Sequence, residues 1–187
     1  MSFEVEGLLR ESIATVEKWV KVNLGSDSLP QAFSFIYQGE PSSELLKEWK
    51  FEQTQKRLND NCTQCILSYT DLKTGLVVRC VAVQYHDLPT VEWTLYPKNT
   101  GSSDTPVIQN IQALDTSFSR SPKGEFFLHH NRGSYCSFTD FQPITTVLEK
   151  GTQTQLSAAG GLSTNGLAAR IPNQPGAALI TYKESIK

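Results

Sequence analysis

Along the first two dozen residues the apolar positions recur at three- and four-residue steps. Val5, Leu8, Leu9, Ile13, Val16, Val20 and Leu24 form this series, with charged residues between them. The spacing predicts an amphipathic helix over 5–24. Gly25 follows directly, a residue that suits the end of a helix. Trp19 lies beside the apolar stripe. Such a stripe is read as packing on the rest of the domain, or as a contact with another chain.

After Pro30 the period changes to two. Phe33, Phe35 and Tyr37 alternate with polar or branched neighbours. Strand-like runs follow at 63–70, 76–86, 90–98, 106–114, 125–130, 153–158 and 177–183. Asp71-Leu72-Lys73-Thr74-Gly75 reads as a hairpin loop, and His86-Asp87-Leu88-Pro89 as the next turn. In 76–86, Leu76, Val78, Cys80 and Ala82 share one face, with Val77, Arg79, Val81, Val83 and Tyr85 on the other. Apolar groups on both faces predict a strand covered on both sides for much of its length. The stretch 158–176 is rich in Gly, Ala, Ser, Asn and Pro and reads as a long loop or a mobile boundary. Several short strands with hairpin-type loops and no alternating helices predict an all-β fold, mainly an antiparallel β-sandwich or supersandwich, with one N-terminal amphipathic helix. The expected layout is a single domain, 1–187: helix 1–25, sandwich core 31–158, and a loop-rich segment 159–187 ending in a strand.

The composition narrows the functional classes. A net charge of −2 without any Lys/Arg run argues against nucleic acid or an anionic membrane as partner. No apolar stretch approaches the ~20 residues of a membrane helix. The acidic opening Met1-Ser2-Phe3-Glu4-Val5-Glu6 is unlike a secretory leader, so a cytoplasmic location is expected. Four cysteines in a chain of 187 residues imply no disulfide framework.

The candidate chemistry is sparse. Cys62 and Cys65 form a C-x-x-C without a second pair at zinc spacing, and on a strand they point to opposite faces. His86 reads as a turn histidine capped by Asp87. In the run HHNRGS at 129–134, His129 and His130 face opposite ways on a strand, so they do not share a metal. No metal or cofactor is expected. No G-x-S-x-G elbow, P-loop or dinucleotide fingerprint occurs. The same run is dense in donors, and Asp140-Phe141 follows. Such groups beside aromatic rings suit a hydroxyl-rich ligand. The candidate contacts are His130, Asn131, Arg132 and Asp140, with Trp93 and Phe141 as packing or platform residues.

Four stretches, taken together, resemble a known family: "AFSFIYQGEPSSELLKEW" (32–49), "TDLKTGLVVRCVAVQYHDLPTVEWTLYPKNTGSSDTPVIQNIQALD" (70–115), "FFLHHNRGSYCSFTDFQP" (126–143) and "GGLSTNG" (160–166). They are similar to the N-terminal region of bacterial α-galactosidase-like glycoside hydrolases of the family 36 type. The resemblance implies a β-supersandwich that precedes a (β/α)8 catalytic barrel carrying the two catalytic aspartates. A barrel takes about 250 residues, so this chain has no room for one. Asp115 and Asp140 match neither catalytic position. After 166 the chain departs from the family pattern, and Leu162 stands where a polar or basic residue is expected. The resemblance therefore implies a non-catalytic module that packs on a barrel, helps shape a sugar pocket and supports oligomers. The alternatives are a free-standing carbohydrate-binding module and an interaction or scaffold protein. The expected partners are a galactoside or other sugar, a missing catalytic domain, or a second copy of the chain through surface the barrel would have covered.

Overall fold

The N-terminal run forms helix α1, Ser2–Asn23, in a computed structural model that describes residues 2–25, 31–116, 126–131, 138–139, 142–148, 166–170 and 180–183. Its apolar stripe is used unevenly. Val16 and Leu24 are 3% and 1% exposed, whereas Leu8 and Leu9 are 56% and 39% exposed. The chain divides into two compact units, one of residues 1–15 and 118–187, the other of residues 16–117.

In the second unit, four strands form a sheet in the order β3 (Lys50–Arg57), β4 (Cys62–Thr70), β5 (Leu76–Tyr85), β6 (Val91–Asn99). All its pairings are antiparallel, and the register sets Gln55, Cys65, Ala82 and Trp93 in one row across the strands. Leu67, Tyr69, Leu76, Val78, Cys80 and Ala82 belong to the buried core of one face, with Phe51, Trp93 and Leu95 packed beside them. A second sheet, in the order β2 (Glu40–Pro41), β1 (Ser34–Tyr37), β7 (Ile108–Gln112), contributes Phe35 and Tyr37 to the same core. Phe33, just before β1, joins them, as do Trp19, Val20 and Leu24 of the helix end. Two sheets therefore share one core, the arrangement of a sandwich. Complete burial of each such Leu or Phe contributes about 1.5–3 kcal/mol.

The loops are built by specific bonds. Gln38 and Gly39 both have positive φ, 56° and 83°, and make the two-residue turn between β1 and β2. The expected loop at 71–75 is present. Asp71 accepts from the Lys73 N–H at 2.9 Å and from the Thr74 hydroxyl at 2.7 Å. Thr74 in turn accepts from the Tyr37 hydroxyl at 2.9 Å.

Several boundaries differ from expectation. The outer side of the strand at 76–86 is less buried than a strand covered on both sides requires. Its inner residues are buried, but Val77, Val81, Val83 and Tyr85 are only half-buried and Arg79 is exposed. Neighbours in the sheet shield part of each of those side chains. β3 was not expected, because KFEQTQKR is mostly polar; it is a strand because β4 satisfies its backbone along the whole run Lys50–Arg57. α2 (Ser42–Leu45) is a single helical turn that Pro41 precedes in extended conformation.

In the first unit the sheet order is β11 (Ile180–Lys183), β10 (Gly166–Arg170), β8 (Phe126–Asn131), β9 (Pro143–Leu148), again antiparallel throughout. β8 and β11 fall within or close to the expected runs. β9 was missed. β10 lies inside the stretch expected to be a loop, since Leu167-Ala168-Ala169 alternates with nothing; pairing with β8 makes it a strand. The expected strand 153–158 lies outside the described residues. The fold is all-β with one long N-terminal helix, as the periodicity indicated. Among the described residues no helix is long and apolar enough to cross a membrane.

Candidate functional site

The second unit carries two hollows. The first is a groove of about 520 Å³ over the small sheet. Its apolar floor includes Phe33, Phe35, Ile36 and Leu46, and its polar lining includes Asn23, Gln31, Asn110, Gln112, Asp115 and Thr116. A β-bulge shapes it. Ser34 faces Gln112 and Ile36 faces Gln109, so β7 carries one extra residue between these pairs. Asn110 lies there with φ 47°, the left-handed region that asparagine tolerates better than most residues. A bulge of this kind re-aims side chains, here beside a hollow.

Backbone bonds fix the groove's walls. The Ala32 N–H donates to the Asn23 carbonyl at 3.1 Å, and the Asp115 N–H donates to the Ala32 carbonyl at 2.6 Å. The Thr116 hydroxyl donates to Asn23 Oδ1 at 3.2 Å, while Asn23 Nδ2 donates to the Trp19 carbonyl at 2.9 Å. Ser42 Oγ accepts from the Phe35 N–H at 3.1 Å. Behind the groove, burial pushes the Tyr69 phenol well above its ordinary range; the neighbouring Cys80 adds to this and the hydrogen bond with Gln31 opposes it.

The second hollow is a cleft of about 530 Å³, where the last turns of α1 pass over the far end of the larger sheet's inner face. There the face changes from apolar to polar. Gln53, Gln55, Thr63 and Gln84 line it, with Cys65 and Ala82 as small residues among them. Glu17 and Lys21 of α1 and His86 form its rim. Thr63 Oγ1 and His86 Nε2 are 2.8 Å apart, and His86 Nδ1 lies 3.9 Å from Glu17 Oε1. Asp87 does not cap His86 as expected, since its carboxylate accepts from Asn61 Nδ2 at 3.0 Å.

The residues singled out from the sequence are distributed differently. Trp93 belongs to the second unit, where its ring lies 5.6 Å from that of Trp19 and its indole N–H donates to the Ala113 carbonyl at 2.7 Å. It is a packing residue. His130 lies on β8 of the first unit, 3.4 Å from Thr146 Oγ1 through Nε2. His129 Nδ1 is 2.9 Å from Thr145 Oγ1, so the two histidines bond opposite faces of β9. Asn131 ends β8, where its backbone pairs with Pro143. Arg132, Asp140 and Phe141 lie outside the described residues. Cys65 packs on the core while Cys62 lies across from Tyr85 on the other face, as strand geometry requires. Among the described residues no group of three or more His, Cys, Asp or Glu is placed to hold a metal.

Neither hollow was identified from the sequence. The groove's signal was the cluster Gln109-Asn110-Ile111-Gln112, but the bulge breaks the alternation that assigns a strand's faces. The cleft's signal was the inner-face parity itself, which turns from Phe51 to Gln53 and Gln55 on β3 and from Ala82 to Gln84 on β5.

Comparison with protein-family models, with curated proteins and with solved structures gives no match to this chain.

Proposed function

We propose that this chain is a β-sandwich module that is non-catalytic toward glycosides, accessory to carbohydrate hydrolysis in the cytoplasm, with the groove over the small sheet as its contact for a hydroxyl-rich ligand. One observation carries the reading. The groove is lined by residues of two of the stretches that resemble α-galactosidase-like enzymes, 32–49 through Phe35 and Leu46, and 70–115 through Asn110, Gln112 and Asp115. Amide, carboxylate and hydroxyl groups over an apolar floor are the groups that orient sugar hydroxyls and cover the sugar's carbon faces. Under this reading the 126–143 stretch supplies further side chains of the same chemistry in its sequence: His130, Asn131, Arg132, Asp140 and Phe141.

Calorimetric titration with galactose, melibiose and raffinose tests the proposal. Binding in the millimolar class, about −4 kcal/mol, is expected. Asp115→Ala abolishes it, and p-nitrophenyl α-galactoside is not turned over. Flat titrations with all three sugars overturn the sugar-binding reading, and turnover that survives stringent purification overturns the non-catalytic one.

A second reading rests on α1. Leu8 and Leu9 are exposed on a helix whose stripe is otherwise buried at Val16 and Leu24. An interaction or scaffold protein would join copies of the chain through this stripe. Sedimentation shows a dimer or larger species in that case, and a monomer at high concentration ends the idea.

A further inference from the structure

The cleft at the end of α1 holds an arrangement that the sugar-binding reading does not use. A hydroxyl, an imidazole and a carboxylate follow one another from three separate segments: Thr63 of β4, His86 just past β5, and Glu17 of α1. The hydroxyl oxygen is 2.8 Å from Nε2, and the carboxylate faces the opposite ring nitrogen at 3.9 Å. Three local features hold the order in place. Thr63 is fixed by its register opposite Gln84. The His86 backbone N–H donates to the Asn61 carbonyl at 2.8 Å. Glu17 directly follows the buried Val16 and lies about one turn before Val20, which packs against the core. All three side chains open on the same hollow of about 530 Å³, whose wall also carries the amides of Gln55 and Gln84.

The geometry points to acyl transfer: Thr63 as nucleophile, His86 as general base, and Glu17 as the positioning residue, acting on a small uncharged ester. Glu17 favours a proton on Nδ1, which leaves the Nε2 lone pair to accept the Thr63 proton; at 3.9 Å its effect is one of charge and not of a hydrogen bond. The Thr63 oxygen then bonds to the ester's carbonyl carbon as its proton passes to Nε2. The alcohol leaves with that proton when the C–O bond breaks. Water, deprotonated by His86, attacks the acyl-threonine and releases the acid, with the proton returned to Thr63 Oγ1. The amides of Gln55 and Gln84 supply donors of the type that steadies the developing oxyanion. The roles follow from geometry and do not require any particular fold or order along the chain.

The test uses the full chain with p-nitrophenyl acetate. The expected result is a burst of nitrophenolate approaching one equivalent, with one acetyl group found by peptide mass mapping on the segment containing Thr63. Thr63→Val, which keeps the shape and strand preference, removes both the burst and the acetylated segment, while Thr63→Ser retains them. His86→Gln lowers the steady rate about a hundredfold or more, the lower end of the range for loss of a general base. Glu17→Gln lowers kcat with KM unchanged and Glu17→Asp restores part of it, a split that loss of folding would not produce. Circular dichroism of each variant separates misfolding from chemistry. An undiminished burst in Thr63→Val overturns the proposal. So does acetyl found only on lysine or histidine, or release no faster than with the denatured chain.

Discussion

Asp71 shows how one buried carboxylate organises a loop. It is nearly closed to solvent, and its two oxygens accept from the Lys73 N–H and the Thr74 hydroxyl, which also holds the Tyr37 phenol. Asp71→Ala leaves those donors without their acceptor, and a loss of about 1–3 kcal/mol is expected in urea unfolding. At the centre of the larger sheet, burial raises the Cys80 thiol from 9.0 to about 12, with Cys65 adding to the shift, and Tyr69 beside it is raised as well. Both groups are neutral in the folded core at a pH where the unfolded chain has begun to lose their protons. The folded state then holds more protons, so stability falls as pH rises. It is complete below about pH 9, the ordinary thiol value, and declines from there toward 12 and beyond. Thermal unfolding followed from pH 7 to 11 should show this decline, and Cys80→Ala should flatten its early part; a midpoint constant across that range contradicts the argument. At the residue scale little of the chemistry was legible in the sequence. Thr63, Glu17 and His86 are far apart along the chain, and only the register of β4 with β5 and the seating of α1 bring them together.

At the scale of elements, periodicity located the strands β4 to β6 to within one residue at each end and α1 to within three, because their alternation matches the faces they bury. It could not say which part of α1 would be covered. Val16→Ala and Leu24→Ala remove side chains from a packed interior and should each cost about 2–4 kcal/mol. Leu8→Ala and Leu9→Ala should fall within about 0.5 kcal/mol of the parent, as surface changes do. Equal losses at the four positions would show that the first half of the helix is covered in solution, which is what the interaction reading requires. A glycine pair makes the same point for loops. Gly75 has φ 77°, and a Cβ there would lie 2.5 Å from the backbone nitrogen of Gly101. Gly75→Ala therefore combines strain with a backbone clash, and a loss above about 1 kcal/mol is expected in denaturant titration. The hairpin glycine was readable in the sequence as part of a turn. Its contact with Gly101 was not, because it joins two loops. Two of the missed strands share one cause: β3 is polar and β10 nearly featureless, and each is a strand through its neighbour's hydrogen bonds.

For the molecule as a whole, the fold class was legible because turn residues and short alternating runs exclude βαβ units, while strand order was not, since β7 joins β1 across the intervening four-stranded sheet. The division into units has a consequence that can be measured. Every residue of the core cluster falls between 16 and 117, and so do Trp19, Trp49 and Trp93, the chain's three tryptophans. Tryptophan emission of the full chain therefore reports the second unit alone. A unit that holds its own core is expected to fold on its own. A fragment of residues 16–117 should unfold in urea in one cooperative step, with an emission midpoint matching the full chain's. Far-ultraviolet dichroism of the full chain, which also senses β8 to β11, need not coincide with that emission, and separate midpoints would show that a two-state description fails for the intact chain. A fragment that unfolds without cooperativity would mean that the core of residues 16–117 depends on groups outside it. The groove and the cleft both lie within these residues, so a folded fragment should keep the sugar titration and the acetyl burst of the full chain, and losing both while remaining folded would move those activities to the other unit.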